Sequence, residues 1–358
     1  MTSNEAVGEA KVIVGVDTHR DEHVAVAIDR LGARLGEHRL PTTLKGYECL
    51  DRWAAGLAET IVYGVEGTGS YGAGLTRHLA GRGRTVIEVN RPDRSTRRRL
   101  GKSDAVDAEM AARAVLAGVA KDCPKSGQDN VEMIRMLKIV KDSAIKARTQ
   151  TINQMKALIV TAPAELRDKL SGLSVRRLTA CCARFRPGEL VSPLAAAKHA
   201  LRLLARRHCQ LTSEIEGVES ELVQLTTQTA PALVEVFGIG PDTAATLLVT
   251  AGSNPERLRS EAAFAALCGV NPIPASSGMT NRHRLNRGGD RQANSALYRI
   301  VLVRLCHHEP TQEYMSRRIG EGRTKPEVIR CLKRYVARQV FAILRDMGRR
   351  NLAIPAAA

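Results

Sequence analysis

Short apolar runs, too brief for helices and rich in β-branched residues, open the chain. Val12-Ile13-Val14-Gly15-Val16-Asp17 ends on an acid, and after a polar turn His23-Val24-Ala25-Val26-Ala27-Ile28-Asp29 does the same. With a third run over 34–40, these read as three strands joined by short connections, which favours an antiparallel meander. Residues 1–10 read as a disordered leader. Helical spacing over 44–57 and 73–82 alternates with strands over 61–65 and 85–89. Beyond 130 the period is helical. One long helix is expected over 130–160 and another over 194–225, with Pro163, Gly172, Pro187 and Pro193 marking turns between them. After Asn294 the chain reads as helical nearly to Asn351. The expected organisation is an α/β catalytic domain over 1–125, a helical coiled-coil or oligomerisation region over 126–230, and an α-helical C-terminal domain over 231–358.

Three strands followed by alternating helix and strand is the order of an RNase-H-like mixed sheet. In that arrangement Asp17 ends the first strand and Glu66 directly follows the fourth, both near the middle of the sheet. A helix beginning at Asp104 would carry Asp107 one turn on, on the same face, with Cβ atoms roughly 5–6 Å apart. An isolated pair of this kind also serves simply to cap a helix N-terminus. Four acids converging on one site make a different case. Carboxylates that close repel unless a cation lies between them. Hard ions such as Mg²⁺ (or Mn²⁺) want carboxylate oxygens, and two ions about 3.5–4 Å apart suit phosphoryl transfer.

Composition narrows the partner. The chain has 358 residues, with 54 Lys and Arg against 37 acids, a net charge of +17 and a pI near 9.9. That excess asks for a polyanion. No apolar run approaches the length of a membrane span, so nucleic acid is the expected partner, with no membrane role. Aromatics are only 3 % of the chain, so the core must be aliphatic. Eight scattered cysteines without a CxxC motif read as reduced thiols of a cytoplasmic protein.

Several stretches carry candidate chemistry. Arg91, Arg94, Arg97, Arg98, Arg99 and Lys102 form a basic run directly before Asp104, either a solvated face or a phosphate contact. Gly67-Thr68-Gly69-Ser70-Tyr71-Gly72, with Glu88 at the end of the next strand, has the dinucleotide-binding spacing. Three strands already precede it, however, and Glu66 would set a negative charge beside the pyrophosphate. Phe237-Gly238-Ile239-Gly240-Pro241 entering a helix has the form of a helix-hairpin-helix, in which the backbone around Gly238 and Gly240 meets DNA phosphates, or of a plain interhelical turn. From Pro231 onward there are nineteen Lys and Arg against ten acids. There Ser276-Ser277-Gly278 is followed by Arg282, Arg284, Arg287 and Arg291. A serine with arginines close behind is what attack on a phosphodiester needs, although Ser-Ser-Gly is also an ordinary loop.

Taken together, Val16-Asp17-Thr18-His19, Val65-Glu66-Gly67-Thr68-Gly69-Ser70-Tyr71 and Lys102-Ser103-Asp104-Ala105-Val106-Asp107-Ala108 resemble the N-terminal DEDD domain of the insertion-sequence 110 transposases, relatives of the pilin-gene invertase. Gly238-Ile239-Gly240-Pro241, Gly269-Val270-Asn271-Pro272, Ser276-Ser277-Gly278 and Arg287-Gly288-Gly289-Asp290-Arg291 resemble that family's C-terminal domain. The resemblance implies a RuvC-like fold with Asp17, Glu66, Asp104 and Asp107 as ligands of Mg²⁺ or Mn²⁺. It further implies a serine that attacks DNA to form a phosphoserine; the family's Ser-Gly pattern selects Ser277, with Ser276 as the fallback. It implies DNA partners (element ends and target), a structured non-coding guide RNA, a homo-oligomer, and a bacterial cytoplasmic protein on the nucleoid when active. The enzymatic alternative is a metal-dependent junction nuclease without serine chemistry.

Overall fold

The structure, a computed structural model, describes residues 7–90, 103–252, 258–277, 279 and 283–353, the last five as backbone alone. Its first part follows the expected order. Strands β1 (Val12–Thr18), β2 (Glu22–Asp29) and β3 (Arg34–Pro41) form the meander. Helix α1 (Leu44–Ala55), strand β4 (Ile61–Glu66), helix α2 (Ala73–Gly81), strand β5 (Thr85–Val89) and helix α3 (Asp104–Leu116) come next. The sheet runs β3-β2-β1-β4-β5. β1 pairs antiparallel with β2 and parallel with β4, so β1 and β4 share the point where the connections diverge.

Residue alternation along the strands divides two cores. Val12, Val14 and Val16 of β1, with Ile61, Tyr63 and Val65 of β4, face α1 and α2. Ile13 and Val62 face α3 through Ala108, Ala111, Ala112 and Val115. Gly15 and Gly64 are register partners on this second face. A Cβ on Gly15 would stand 2.0 Å from Ala108 O and 2.4 Å from Ala112 N; one on Gly64 would stand 2.7 Å from a Val115 methyl. The paired glycines and the alanine stripe therefore let α3 lie directly on the strand backbones. Ala10 is also buried in this core, so the expected leader is partly taken into the fold. At the other end of the sheet, buried Asp51 accepts from Tyr63 Oη at 2.9 Å and from Arg84 Nε at 2.8 Å. Burial alone would raise its pKa, but these bonds hold the carboxyl below its ordinary value.

The chain forms two compact units: residues 1–131, 250–294 and 333–358, and residues 132–249 with 295–332. The second unit contains most of α4 (Asn130–Thr161), α5 (Ala164–Leu170), α6 (Val175–Ala183), α7 (Pro193–Thr229) and α8 (Pro231–Val234), and most of α9 (Pro241–Ala251). Between the expected turns at Pro163, Gly172, Pro187 and Pro193 lie two short helices. Each brings apolar residues (Leu166, Leu170, Leu178, Cys182) onto Met155, Ile159, Leu201 and Ala205, which makes ordering it worthwhile. Lower in this unit, Asp242 at the start of α9 accepts from Lys138 Nζ at 2.8 Å and Lys141 Nζ at 2.9 Å, and Arg299 Nη1 reaches it at 3.1 Å. Both lysines are buried. Burial alone would raise the Asp242 carboxyl, but the lysine hydrogen bonds outweigh it and hold it well below the usual carboxylate range.

In the C-terminal part of the first unit, α10 (Glu261–Leu267) precedes a small antiparallel pair, β6 (Pro272–Pro274) and β7 (His283–Leu285), where only a loop was expected. The expected helical stretch after Asn294 is built of three helices: α11 (Arg291–His307), α12 (Glu309–Gly320) and α13 (Lys325–Ala353). They are separated at His308 and at 321–324, where Gly322 takes a positive φ. Among the described residues no helix is long and apolar enough to cross a membrane.

Three stability outcomes follow from these contacts. Gly15→Ala should destabilise the protein by at least about 2 kcal/mol in urea unfolding, because its Cβ meets helix backbone rather than a movable side chain. Gly81→Ala, at an open helix end, should be neutral or stabilising by up to about 1 kcal/mol. Asp242→Asn should cost about 2 kcal/mol at pH 7 by removing the carboxylate shared by two buried ammonium groups, leaving Lys138 only Asp142 and Lys141 only Glu219. Because the folded Asp242 pKa is depressed, its contribution is complete above the unfolded value near 4 and is lost as pH falls through the folded one. The wild-type advantage over Asp242→Asn should therefore shrink below about pH 4, read from urea midpoints across pH.

A carboxylate and imidazole cluster at the strand ends

Ser103 caps α3, its Oγ accepting from Val106 N–H at 3.3 Å, so the capping role open to the aspartates falls to the serine. Asp104 and Asp107 occupy the first turn, where the helix dipole favours negative charge. Seating α3 on Gly15 brings this turn over the end of β1. Asp17 follows Ile13 and Gly15 on the face toward α3, and Glu66 follows Val62 and Gly64 on the same face. Each lies one residue past the last register pair, Val16 with Val65. Thr18 Oγ1 donates to Glu66 O at 2.9 Å and ties the two strand ends together. Asp17, Asp104 and Asp107 thus come together at the carboxyl ends of parallel strands beside a switch in connection, the position where open α/β sheets bind ligands, with Glu66 on the same face of the sheet.

Asp17 is buried, and His19 Nε2 lies 3.1 Å from its Oδ2 and 3.4 Å from Asp104 Oδ1. One ligand atom from each of Asp17, His19 and Asp104 falls within 4.8 Å of the others. Burial pushes the Asp17 pKa up; His19 opposes this, Asp107 and Asp104 add to it, and the net shift is upward. A buried carboxyl beside further carboxylates is stabilised by a cation, so the donor set fits a divalent ion. Asp107 is itself buried, and Glu66 is half-buried on the same face outside that three-residue group.

His19 carried no role in the sequence reading, although it stands in the quoted Asp-Thr-His stretch. An imidazole two residues past a strand-end acid was the available signal. Its main chain is pinned, for His19 N–H donates to His23 Nδ1 at 3.3 Å. His23 is fully buried and lies parallel to the Tyr47 ring at 5.9 Å. Burial lowers the His23 pKa, which keeps the imidazole neutral and Nδ1 able to accept.

The other candidate residues lie elsewhere. Ser276 and Ser277 are exposed between β6 and β7. No hydrogen bond or ion pair among the described residues joins Ser277 to the acids. The frame beneath this loop is tightly built. Asn286 Nδ2 donates to Ala266 O and Asn271 Oδ1, and Asn294 Nδ2 donates to Cys268 O and Gly269 O. A Cβ on Gly289 would stand 2.2 Å from Gly269 N. Arg284, Arg287 and Arg291 are exposed around this frame. Gly238, at φ +82°, forms the turn before α9 with Gly240 exposed beyond it. Arg94, Arg97, Arg98, Arg99, Lys102 and Arg282 lie outside the described residues. The Gly67–Gly72 turn follows the fourth strand of the sheet, and Glu88 N–H donates to Asp122 O at 2.7 Å.

Comparison with known proteins agrees with this geometry at both ends of the chain. Residues 14–162 match the DEDD-type IS110 transposase model, described as a transposase. Residues 230–316 match the model described as the transposase IS116/IS110/IS902 family. A relative from Streptomyces coelicolor, described as an insertion element IS110 uncharacterized 43.6 kDa protein, is 30 % identical over 118 residues. That stretch is 33 % of this chain and 29 % of the relative, so the match spans less than a third of the relative's length. Strand-end acids, a capped acidic helix and a C-terminal segment matched separately lead to one conclusion: the chain belongs to the IS110 family of transposases.

Proposed function

We propose that this chain is the recombinase of an insertion sequence, cutting and rejoining DNA through an acidic metal site and a serine nucleophile. The observation that carries this is the meeting of Asp17 and Asp104, with Asp107 beside them, at the ends of β1 and α3. The sheet order supports an RNase-H or RuvC-like domain over 1–125. In this reading the helical region over 126–230 includes a coiled-coil oligomerisation arm. The domain over 231–358 presents its Gly238–Gly240 turn to DNA in the helix-hairpin-helix manner.

Asp17, Glu66, Asp104 and Asp107 would hold Mg²⁺ or Mn²⁺. Such an ion neutralises phosphate oxygens and stabilises charge developing on the leaving oxygen. Ser277 Oγ attacks the phosphorus; its bond to phosphorus forms as the bond to the deoxyribose oxygen breaks. That oxygen leaves as a hydroxyl with the proton lost from the serine, and the reverse step on another strand rejoins DNA. Arg284, Arg287 and Arg291, exposed near the loop, suit charge neutralisation at the phosphate. A net charge of +17 supports binding of both DNA and an element-encoded non-coding RNA, to which sequence choice is delegated.

The test is covalent trapping. Full-length protein is incubated with Mg²⁺, labelled DNA carrying element ends and RNA transcribed from the element's flanks, then resolved on a denaturing gel. The expected result is a protein–DNA adduct that falls at least about a hundredfold in Ser277→Ala and Asp104→Asn but persists in Ser276→Ala. Cleaved DNA with no adduct would refute the serine step and leave a metal-dependent nuclease. Loss of the adduct in Ser276→Ala alone would move the nucleophile by one residue.

A further inference from the structure

The acidic cluster contains a nitrogen. His19 Nε2 stands 3.1 Å from Asp17 Oδ2 and 3.4 Å from Asp104 Oδ1. Adjacent ligands of an octahedral ion with bonds of about 2.1 Å are about 3.0 Å apart, and opposite ligands about 4.2 Å. The two separations from His19 Nε2 are close to those of neighbouring ligands on one ion, and all three ligand atoms lie within 4.8 Å of one another. The three atoms come from the end of β1, the turn after it and the first turn of α3, so they converge from different directions. The hydrogen bond from His19 N–H to buried His23 Nδ1 fixes the backbone from which the ring reaches. The ring itself is about half exposed, with room for a solvent-borne ion to reach it.

On the basis of the acidic metal site argued above, we propose that His19 is itself a ligand of the ion, through Nε2. The site then has a mixed oxygen and nitrogen donor set. Mg²⁺ binds oxygen and keeps its waters, whereas imidazole suits transition metals. This chain therefore selects Mn²⁺ over Mg²⁺ more strongly than four carboxylates would. The competing state is an imidazolium that only pairs with the two carboxylates and places no nitrogen on the ion.

Electron spin echo measurements on Mn²⁺ bound to the full-length protein separate these states without reference to activity. The expected result is modulation from one directly coordinated nitrogen in the wild type, absent in His19→Asn. Mn²⁺ affinity should fall about tenfold or more in that variant, while Mg²⁺ affinity, measured by competition, changes less than about threefold. Circular dichroism of His19→Asn should be unchanged, since the ring is exposed. Mn²⁺ bound in an Asp104-dependent way, but with no coordinated nitrogen, would overturn the role of His19 and leave the acidic site standing. No Mn²⁺ binding by the wild type would overturn both.

Discussion

How closely α3 approaches β1 decides whether an acidic site exists at all. Asp104 and Asp107 are 87 and 90 residues from Asp17, and only the seating of the helix on the sheet joins them. That seating depends on the absence of side chains at Gly15 and Gly64, which are paired across β1 and β4, and on the small residues Ala108, Ala111 and Ala112 opposite them. A glycine inside a strand ordinarily weakens it. Here two glycines in register allow backbone and helix to meet, and the acids at the end of that contact converge as a result. The buried surface that supports the fold and the geometry of the cluster are one arrangement.

Electrostatics gives the cluster its character. The chain as a whole is strongly basic, yet carboxylates gather at the end of β1, two of them, Asp17 and Asp107, buried. Burial and the neighbouring aspartates both disfavour the charged form of Asp17, and the imidazole of His19 partly offsets them. A fold that concentrates like charge against desolvation is poised for a cation. In the second unit the opposite solution is visible: Asp242 is matched by two buried lysines and an arginine, so its charge is satisfied within the protein.

Much of this was legible in the sequence, because short apolar runs ending in Asp17 and Glu66 and the Asp104–Asp107 spacing are local signals. The meander, the alternation of helix and strand, and the helix that starts at Asp104 all rest on such signals. Three features were not legible, for physical reasons. The short helices Ala164–Leu170 and Val175–Ala183 are bounded by proline and glycine and gain their order from packing on the long helices, a tertiary effect. The strands Pro272–Pro274 and His283–Leu285 are three residues each and exposed for the most part, too short for a periodic signal. His19 was passed over because an isolated histidine in a turn has no pattern; its significance comes from Asp104, which reaches it only through the fold.

The central claim is that α3, held on the paired glycines, completes a cation site with the end of β1. Anomalous diffraction from crystals of the full-length protein grown with Mn²⁺ tests it directly. The account predicts a peak within about 2.3 Å of both Asp17 and Asp104 carboxylates, with Ala108 still in contact with Gly15. A peak remote from Asp17, or α3 lifted from Gly15 with the acids apart, would contradict it.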